Sequence, residues 1–175
     1  MNHADHVNLL RDGVPAPGGV WADLGSGAGA FTLALADLLG PGAVIYSVDQ
    51  RAAALREQER AMRARFPQTT VHYLTADFTR PLDLPPLDGA VMANALHFVR
   101  DKDPVVRLVR GYLKPGGVFI LVEYDTDRGN TWVPYPLSYA TWEALAKRNG
   151  FAEPRRLATR PSSFLGAFFS AASVR

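Results

Sequence analysis

The chain contains no cysteine among its 175 residues. Disulfides, thiolate nucleophiles and cysteine-bound zinc or iron–sulfur centres are therefore excluded. Long hydrophobic runs are missing too, since none approaches the roughly 18 apolar residues needed to span a bilayer. The start Met1-Asn2-His3-Ala4-Asp5-His6 is polar and lacks the basic-then-apolar pattern of an export signal. Charge of one sign is scarce: 19 Lys plus Arg stand against 17 Asp plus Glu, a net +2. Without a clustered patch, that balance points to no nucleic-acid partner. There is no internal repeat or low-complexity tract. The expected setting is a reducing cytoplasm with no membrane attachment. What is present, 47% hydrophobic and 21% charged residues, suits one domain with a real core.

Runs rich in Val, Ile and Phe alternate with helical patterns, which predicts strands joined by crossover helices in a parallel sheet. Five strands are expected: Gly19 to Leu24, Ala43 to Val48, Thr70 to Ala76, Gly89 to Asn94 and Gly117 to Tyr124. The third mixes polar with apolar residues and reads as an edge; the fifth is apolar throughout and reads as central. Helices are expected where Phe31, Ala34, Leu35, Leu38 and Leu39 recur, then over Arg51 to Phe66, Asp101 to Leu113 and Ser138 to Asn149, each closed by Gly or Pro. Leu55, Met62 and Phe66 form the buried stripe of the second, while Arg56, Arg60 and Arg63, interleaved with Glu57 and Glu59, read as a solvated face. Towards the C-terminus, Ala158-Thr159-Arg160-Pro161-Ser162 separates a polar run from Phe164 to Phe169, predicting an antiparallel hairpin. Thr79 to Leu87 and Asp125 to Pro136 are irregular, and such segments after strands are where ligand contacts gather.

The most informative stretch is Val20-Trp21-Ala22-Asp23-Leu24-Gly25-Ser26-Gly27-Ala28-Gly29-Ala30-Phe31. An apolar strand ends in a carboxylate and passes through alternating glycines into a helix, so a nucleotide can approach bare backbone and meet N–H groups at the helix start. Gly25, Gly27 and Ala30 also satisfy the relaxed dinucleotide fingerprint, with Asp49 at the end of the next strand. A nicotinamide-dinucleotide oxidoreductase is therefore one reading. Asp23 argues for another, because a carboxylate about 5 Å from a pyrophosphate would repel it by roughly 3 kcal/mol per charge pair. A cationic ligand would be attracted instead. S-adenosylmethionine has that charge, and its ribose diol suits Asp49.

The chain resembles the class I S-adenosylmethionine-dependent methyltransferases, in particular the small-molecule branch called the type 11 or type 25 methyltransferase domain. The resemblance covers Gly19 to Tyr124 and rests on five landmarks in order: Asp23 to Gly29, Asp49, Ala76-Asp77-Phe78, Asp88 to His97, and Lys114-Pro115-Gly116-Gly117. It implies an α/β, Rossmann-like, doubly wound and mostly parallel seven-stranded sheet, with helices on both faces and a C-terminal antiparallel hairpin. Residues 1–175 would be a single methyltransferase domain: 1–18 a short N-terminal helix or lid, 19–124 the cofactor half and 125–175 the substrate side. It also implies that Asp23, Gly25, Ser26, Gly27 and Gly29 hold the methionine end, Asp49 the ribose, and Asp77 and Phe78 the adenine, with Gln50 and the Asn94 backbone as secondary contacts. The alternatives stay open: the dinucleotide enzyme above, or a module that binds S-adenosylmethionine without catalysis.

Methyl transfer from a sulfonium is a displacement in which positioning alone supplies roughly 7 to 11 kcal/mol. A base is needed only if the acceptor must lose a proton. His97, just past strand four, is the first candidate, with Glu123 and Asp125 after it. His3 and His6 have helix-neighbour spacing but read as a frayed terminus, and no metal is expected. The resemblance also bears on the acceptor, since Asn94-Ala95-Leu96-His97 is unlike the Asp-Pro-Pro-Tyr type sequence of base-amine methylases, and cytosine C5 methylases need a cysteine. A small organic acceptor is expected, with Trp132, Tyr135 and Tyr139 as pocket walls, and a second copy of the chain as one way to cover an open site.

Overall fold

Val20–Leu24 (β1), Val44–Asp49 (β2), Thr70–Thr75 (β3), Leu87–Ala93 (β4) and Leu113–Tyr124 (β5) form parallel strands in the computed structural model, which describes residues 1–175. Arg155–Pro161 (β6) and Ala167–Val174 (β7) complete a seven-stranded sheet in the order β3-β2-β1-β4-β5-β7-β6, with β7 antiparallel to both neighbours. The crossovers are Ala30–Leu39 (α2), Ala52–Arg65 (α3), Asp103–Tyr112 (α4) and Tyr139–Arg148 (α5), preceded by His3–Leu10 (α1). Strand order reverses between β1 and β4, which leaves a crevice at their carboxyl ends.

Two apolar cores lie on opposite faces of the sheet. One joins Val105, Val106 and Val109 of α4 and Trp142 and Leu145 of α5 to Phe119 and Leu121 of β5. The other joins Leu9 and Leu10 of α1, Leu35 and Leu39 of α2 and Met62 of α3 to Trp21, Ile45 and Ile120. The doubly wound architecture is as read from the pattern, as are the edge position of β3 and the near-complete burial of β5. Leu55 and Met62 are buried and Phe66 partly so, while Arg56, Arg60 and Arg63 are exposed, with Arg63 on Glu59 at 2.6 Å. No helix is long and apolar enough to cross a membrane.

Three details depart from the reading. Strand β5 starts at Leu113, because Leu113 pairs with Leu87 before a register shift brings Gly89 opposite Val118. The hairpin turn lies at 162–166, not 158–162: Pro161 still pairs with Ala167, and Ser162 N–H donates to Gly166 O at 2.8 Å. Pro161 is tolerated because it ends an edge strand, and Gly166 takes the positive φ of 67° that the turn needs. Phe164 is thereby moved from a strand to a turn tip.

The N-terminus is also not frayed. Asn2 and Asp5 form a reciprocal capping box, the His3 ring meets the Asp37 carboxylate at 3.0 Å, His6 packs on Phe31, and Asp5 pairs with Arg160. With Val7, Leu9 and Leu10 buried, docking outweighs the fraying expected of an isolated end.

Candidate functional site

A cleft of about 710 Å³ opens at the carboxyl ends of β1, β2 and β4, a volume suited to a nucleoside-sized ligand. Of the residues expected there, Gly25, Ser26, Gly27, Asp49, Gln50, Asp77, Phe78 and Asn94 line it. They come from the ends of four strands that only sheet pairing brings together.

The glycine loop is built for close approach. Gly25 has φ of 79°, and a Cβ there would come within 2.6 Å of the Ala95 methyl and 3.3 Å of the Phe78 ring. Its amide and that of Ser26 both donate to Val48 O, which staples the loop onto β2. Asp49 braces it from the side: Oδ2 accepts from Gly27 N–H at 2.8 Å, and Oδ1 from Arg51 N–H at 2.8 Å. Beneath lies a sealed polar cluster in which Ser47 Oγ is 2.7 Å from Ser26 Oγ and 2.9 Å from Gln58 Oε1. Asp77 is likewise turned into a tight loop, accepting at Oδ1 from Thr79 N–H and Oγ–H, bonds that hold its carboxyl below the usual range.

Asn94 has a positive φ of 52°, unlike any other non-glycine residue in the chain. Asparagine adopts this conformation more readily than most side chains. Its amide ends the pairing of β4 by donating to Val122 O, while its side-chain Oδ1 is sealed from solvent with no partner. An unpartnered acceptor on a cleft wall fits a ligand that brings a donor, such as an ammonium group.

Two expected cofactor residues lie elsewhere. Asp23 is not on the cleft wall: it is 1% exposed beneath the loop and accepts from Thr32 Oγ–H at 2.5 Å. Burial pushes its carboxyl up to about 7, against the Thr32 bond, with the charge of Asp49 adding to the rise. The expectation of direct contact is corrected, because β1 is central and Asp23, still within the strand, turns its side chain to Thr32 of α2. Gly29 also stays off the wall. It sits at the start of α2 with φ of 91°, against the Gln58 side chain, so its role is packing.

His97 also stays off the cleft wall, on the tight turn that follows Asn94, between the cleft-lining Ala95 and Phe98. It is 3% exposed, and Glu123 at 0% holds it twice: Oε2 is 2.8 Å from Nδ1 and Oε1 accepts from the His97 amide at 3.1 Å. That contact assigns the ring proton to Nδ1 and leaves Nε2 as the basic nitrogen. Nε2 has no protein partner and is not among the sealed unpartnered atoms. Asp125 does not stand beside it as a second base. Its oxygens accept from Tyr139 N–H at 2.8 Å and pair with Arg156 at 3.3 Å, so it anchors α5 and β6. Trp132, Tyr135 and Tyr139 do not wall the cleft either. Trp132 is exposed, Tyr135 lies under Lys102, and Tyr139 donates to Pro154 O beneath the Arg156 guanidinium.

The reading missed Arg51, Phe98, Met1 and His6, all on the cleft wall. Arg51 was visible as the neighbour of Asp49. Met1 and His6 arrive only because α1 docks on α2, which no local pattern announces.

Comparison with known proteins agrees with this geometry. A family model described as a methyltransferase domain matches residues 22–119. Acetylserotonin O-methyltransferase of Mus musculus is 39% identical over 121 residues, covering 62% of this chain and 29% of that protein. The chain thus spans less than a third of that relative's length. A SAM-dependent methyltransferase from Aquifex aeolicus superposes with a TM-score of 0.76 at 16% identity, covering 97% of this chain and 89% of that one. The YcgJ protein of a Bacillus species superposes with a TM-score of 0.78 at 13% identity over 99% of each chain. With glycine loop, strand order and matched segment in agreement, this chain belongs to the methyltransferase domain family and carries the fold of the S-adenosylmethionine-dependent enzymes.

Proposed function

We propose that the chain transfers a methyl group from S-adenosylmethionine to a hydroxyl-bearing small molecule, with His97 as the base. The observation that carries this reading is the convergence of Gly25, Gly27, Asp49, Asp77 and Asn94 on one cleft beside a histidine whose Nε2 is free. When bound, the cofactor supplies a methyl carbon on a sulfonium, whose C–S bond breaks with the electron pair left on sulfur. The chain's part is binding, alignment and one proton. Asp49 suits a ribose diol, Asp77 and Phe78 an adenine, and Asn94 Oδ1 an ammonium. As the acceptor oxygen forms its new bond to carbon, its proton passes to His97 Nε2, and Glu123 offsets the charge gained by the ring. Positioned bases of this kind contribute about 10²- to 10⁴-fold. The 39% identity to an O-methyltransferase supports oxygen as the accepting atom.

Isothermal titration with S-adenosylhomocysteine tests the first half of this reading. Binding is expected in the wild type and at least tenfold weaker in Asp49→Ala, which loses both the diol partner and the brace on Gly27. Folded protein that ignores S-adenosylhomocysteine but binds NADH would reject it in favour of the dinucleotide reading. The base is tested by His97→Ala, expected to lower kcat by at least 10²-fold with S-adenosylhomocysteine affinity unchanged. Glu123→Gln, which removes the charge that offsets the proton taken up by the ring, should lower kcat at least tenfold with S-adenosylhomocysteine affinity unchanged.

A further inference from the structure

Gly25, Ser26 and Gly27 line the cleft, yet their backbone has little left to give a ligand. The amides of Gly25 and Ser26 both donate to Val48 O, and that of Gly27 donates to Asp49 Oδ2. The Ser26 hydroxyl is therefore the one donor these three residues retain. Its direction is set from underneath, by Ser47 of β2 and Gln58 of α3, both fully buried. Ser47 Oγ is 2.7 Å from Ser26 Oγ and 2.9 Å from Gln58 Oε1, and Ser26 Oγ is 3.4 Å from the same Oε1.

The protons of this cluster are out of balance. With Oε1 turned to the serines, both hydroxyls have an inward acceptor, while Gln58 Nε2 is sealed in the interior with two N–H groups and no partner. A sealed donor without an acceptor is costlier and rarer than a carbonyl short of one bond. The Gln58 stem is held in place, because it packs against bare backbone at Gly29, where a Cβ would lie 2.3 Å from Gln58 Cγ and 2.8 Å from Cδ. The amide plane can still turn, about a bond whose preference is broad and roughly two-fold. A half-turn places the nitrogen where the oxygen stood. Nε2 then donates to Ser47 Oγ, and Ser47, which has no other acceptor, donates to Ser26 Oγ. The gap between the two hydroxyls holds only that one proton, so the proton of Ser26 is left to the cleft.

We infer that Gln58 and Ser47 are positioning residues for the cofactor, aiming the Ser26 hydroxyl proton into the cleft as the donor to the carboxylate at the methionine end. This rests on the methyl-transfer reading and adds to it two buried residues that act through Ser26. A relay that ends in a donor favours an anionic group and offers nothing to an ammonium, which the unpartnered Asn94 Oδ1 suits instead. The two charged ends of the amino-acid tail are thereby told apart by hydrogen bonds of opposite polarity.

The test is isothermal titration with S-adenosylhomocysteine and with its decarboxylated analogue, which keeps the ammonium and lacks the carboxylate. The wild type should bind the analogue about tenfold more weakly, as loss of a charge-assisted bond predicts. Ser26→Ala should weaken S-adenosylhomocysteine about tenfold and Gln58→Met about threefold, each with the analogue within about twofold of wild type. Placed on Ser26→Ala, Gln58→Met should add no further loss, because its effect passes through the missing hydroxyl. Ser47→Ala, a smaller buried change, should reproduce Gln58→Met and replaces it should that variant fail to fold. Equal affinity of the wild type for the two ligands, or unchanged S-adenosylhomocysteine affinity in Ser26→Ala, overturns the relay while leaving methyl transfer standing. So do equal losses for both ligands in Gln58→Met or Ser47→Ala, as loosened packing would give, and additive losses in the double variant. Failure of the wild type to bind either ligand removes the methyl-transfer reading itself, and with it the relay.

Discussion

Asp23 is the penultimate residue of β1, under the glycine loop, and its burial makes it a proton-linked residue. The native carboxyl holds its proton to about 7, whereas in the unfolded chain it ionises near 3.8. Between those values the native state binds more protons, so stability falls as pH rises through that window. The full effect is about 4 kcal/mol by the usual conversion of 1.36 kcal/mol per pKa unit. Asp23→Asn keeps an acceptor for Thr32 and removes the titration. Denaturant melts from pH 4 to pH 8 should show the gap between variant and wild type moving in the variant's favour by that order, and a constant gap would refute the assignment. A cation in the cleft above favours the ionised form, so S-adenosylmethionine should release protons on binding near pH 6. Titrations in buffers of different ionisation enthalpy measure that release. The carboxylate was visible in the sequence, but its charge state was not: the argument from repulsion of a diphosphate assumed an ionised group, and burial keeps it largely protonated below pH 7.

Among the elements, the contact of β1 with β4 sets the floor of the crevice. Trp21 is opposite Gly89 in register and fully buried, and a Cβ on Gly89 would enter the Trp21 ring. Gly89→Ala is therefore an overpacking change with backbone on one side and indole on the other. A loss of about 2–3 kcal/mol in denaturant titration is expected. A milder case is the start of α5, where Ser138 accepts from Thr141 N–H and donates to Asp127. Ser138→Ala should cost about 1 kcal/mol, as cap removals do. Strand and helix positions were readable from periodicity, because apolar runs bounded by Gly, Pro and Asp leave few alternatives. The hairpin turn was misplaced because Pro161 is a turn signal locally and an edge-strand end in context. The first helix was underrated because its stability comes from Asp37, Phe31 and Arg160, all distant in sequence.

For the molecule as a whole, ligand binding and folding are linked through the cleft. Residues of α1, α2, β2, β4 and the turn after β4 meet at it, so a ligand that binds only the native state stabilises all of them together. S-adenosylhomocysteine at 100 times its Kd should add about 2.7 kcal/mol, raising Tm by about 5–10 °C in thermal melts. An unmoved Tm at that excess would contradict the site.

The amino-acid order alone settled the fold class, the glycine loop and the acids after β2 and β3, because alternation of apolar strands with helices and glycine-rich turns is a local property with few physical solutions. Folding in three dimensions settled which of those residues reach a ligand. Asp23 and Gly29 were drawn into packing, Asp125 into anchoring, and His97 was locked by Glu123 across the β4–β5 pair. Side-chain direction depends on what each strand end packs against, and that information lies in partners far away along the chain.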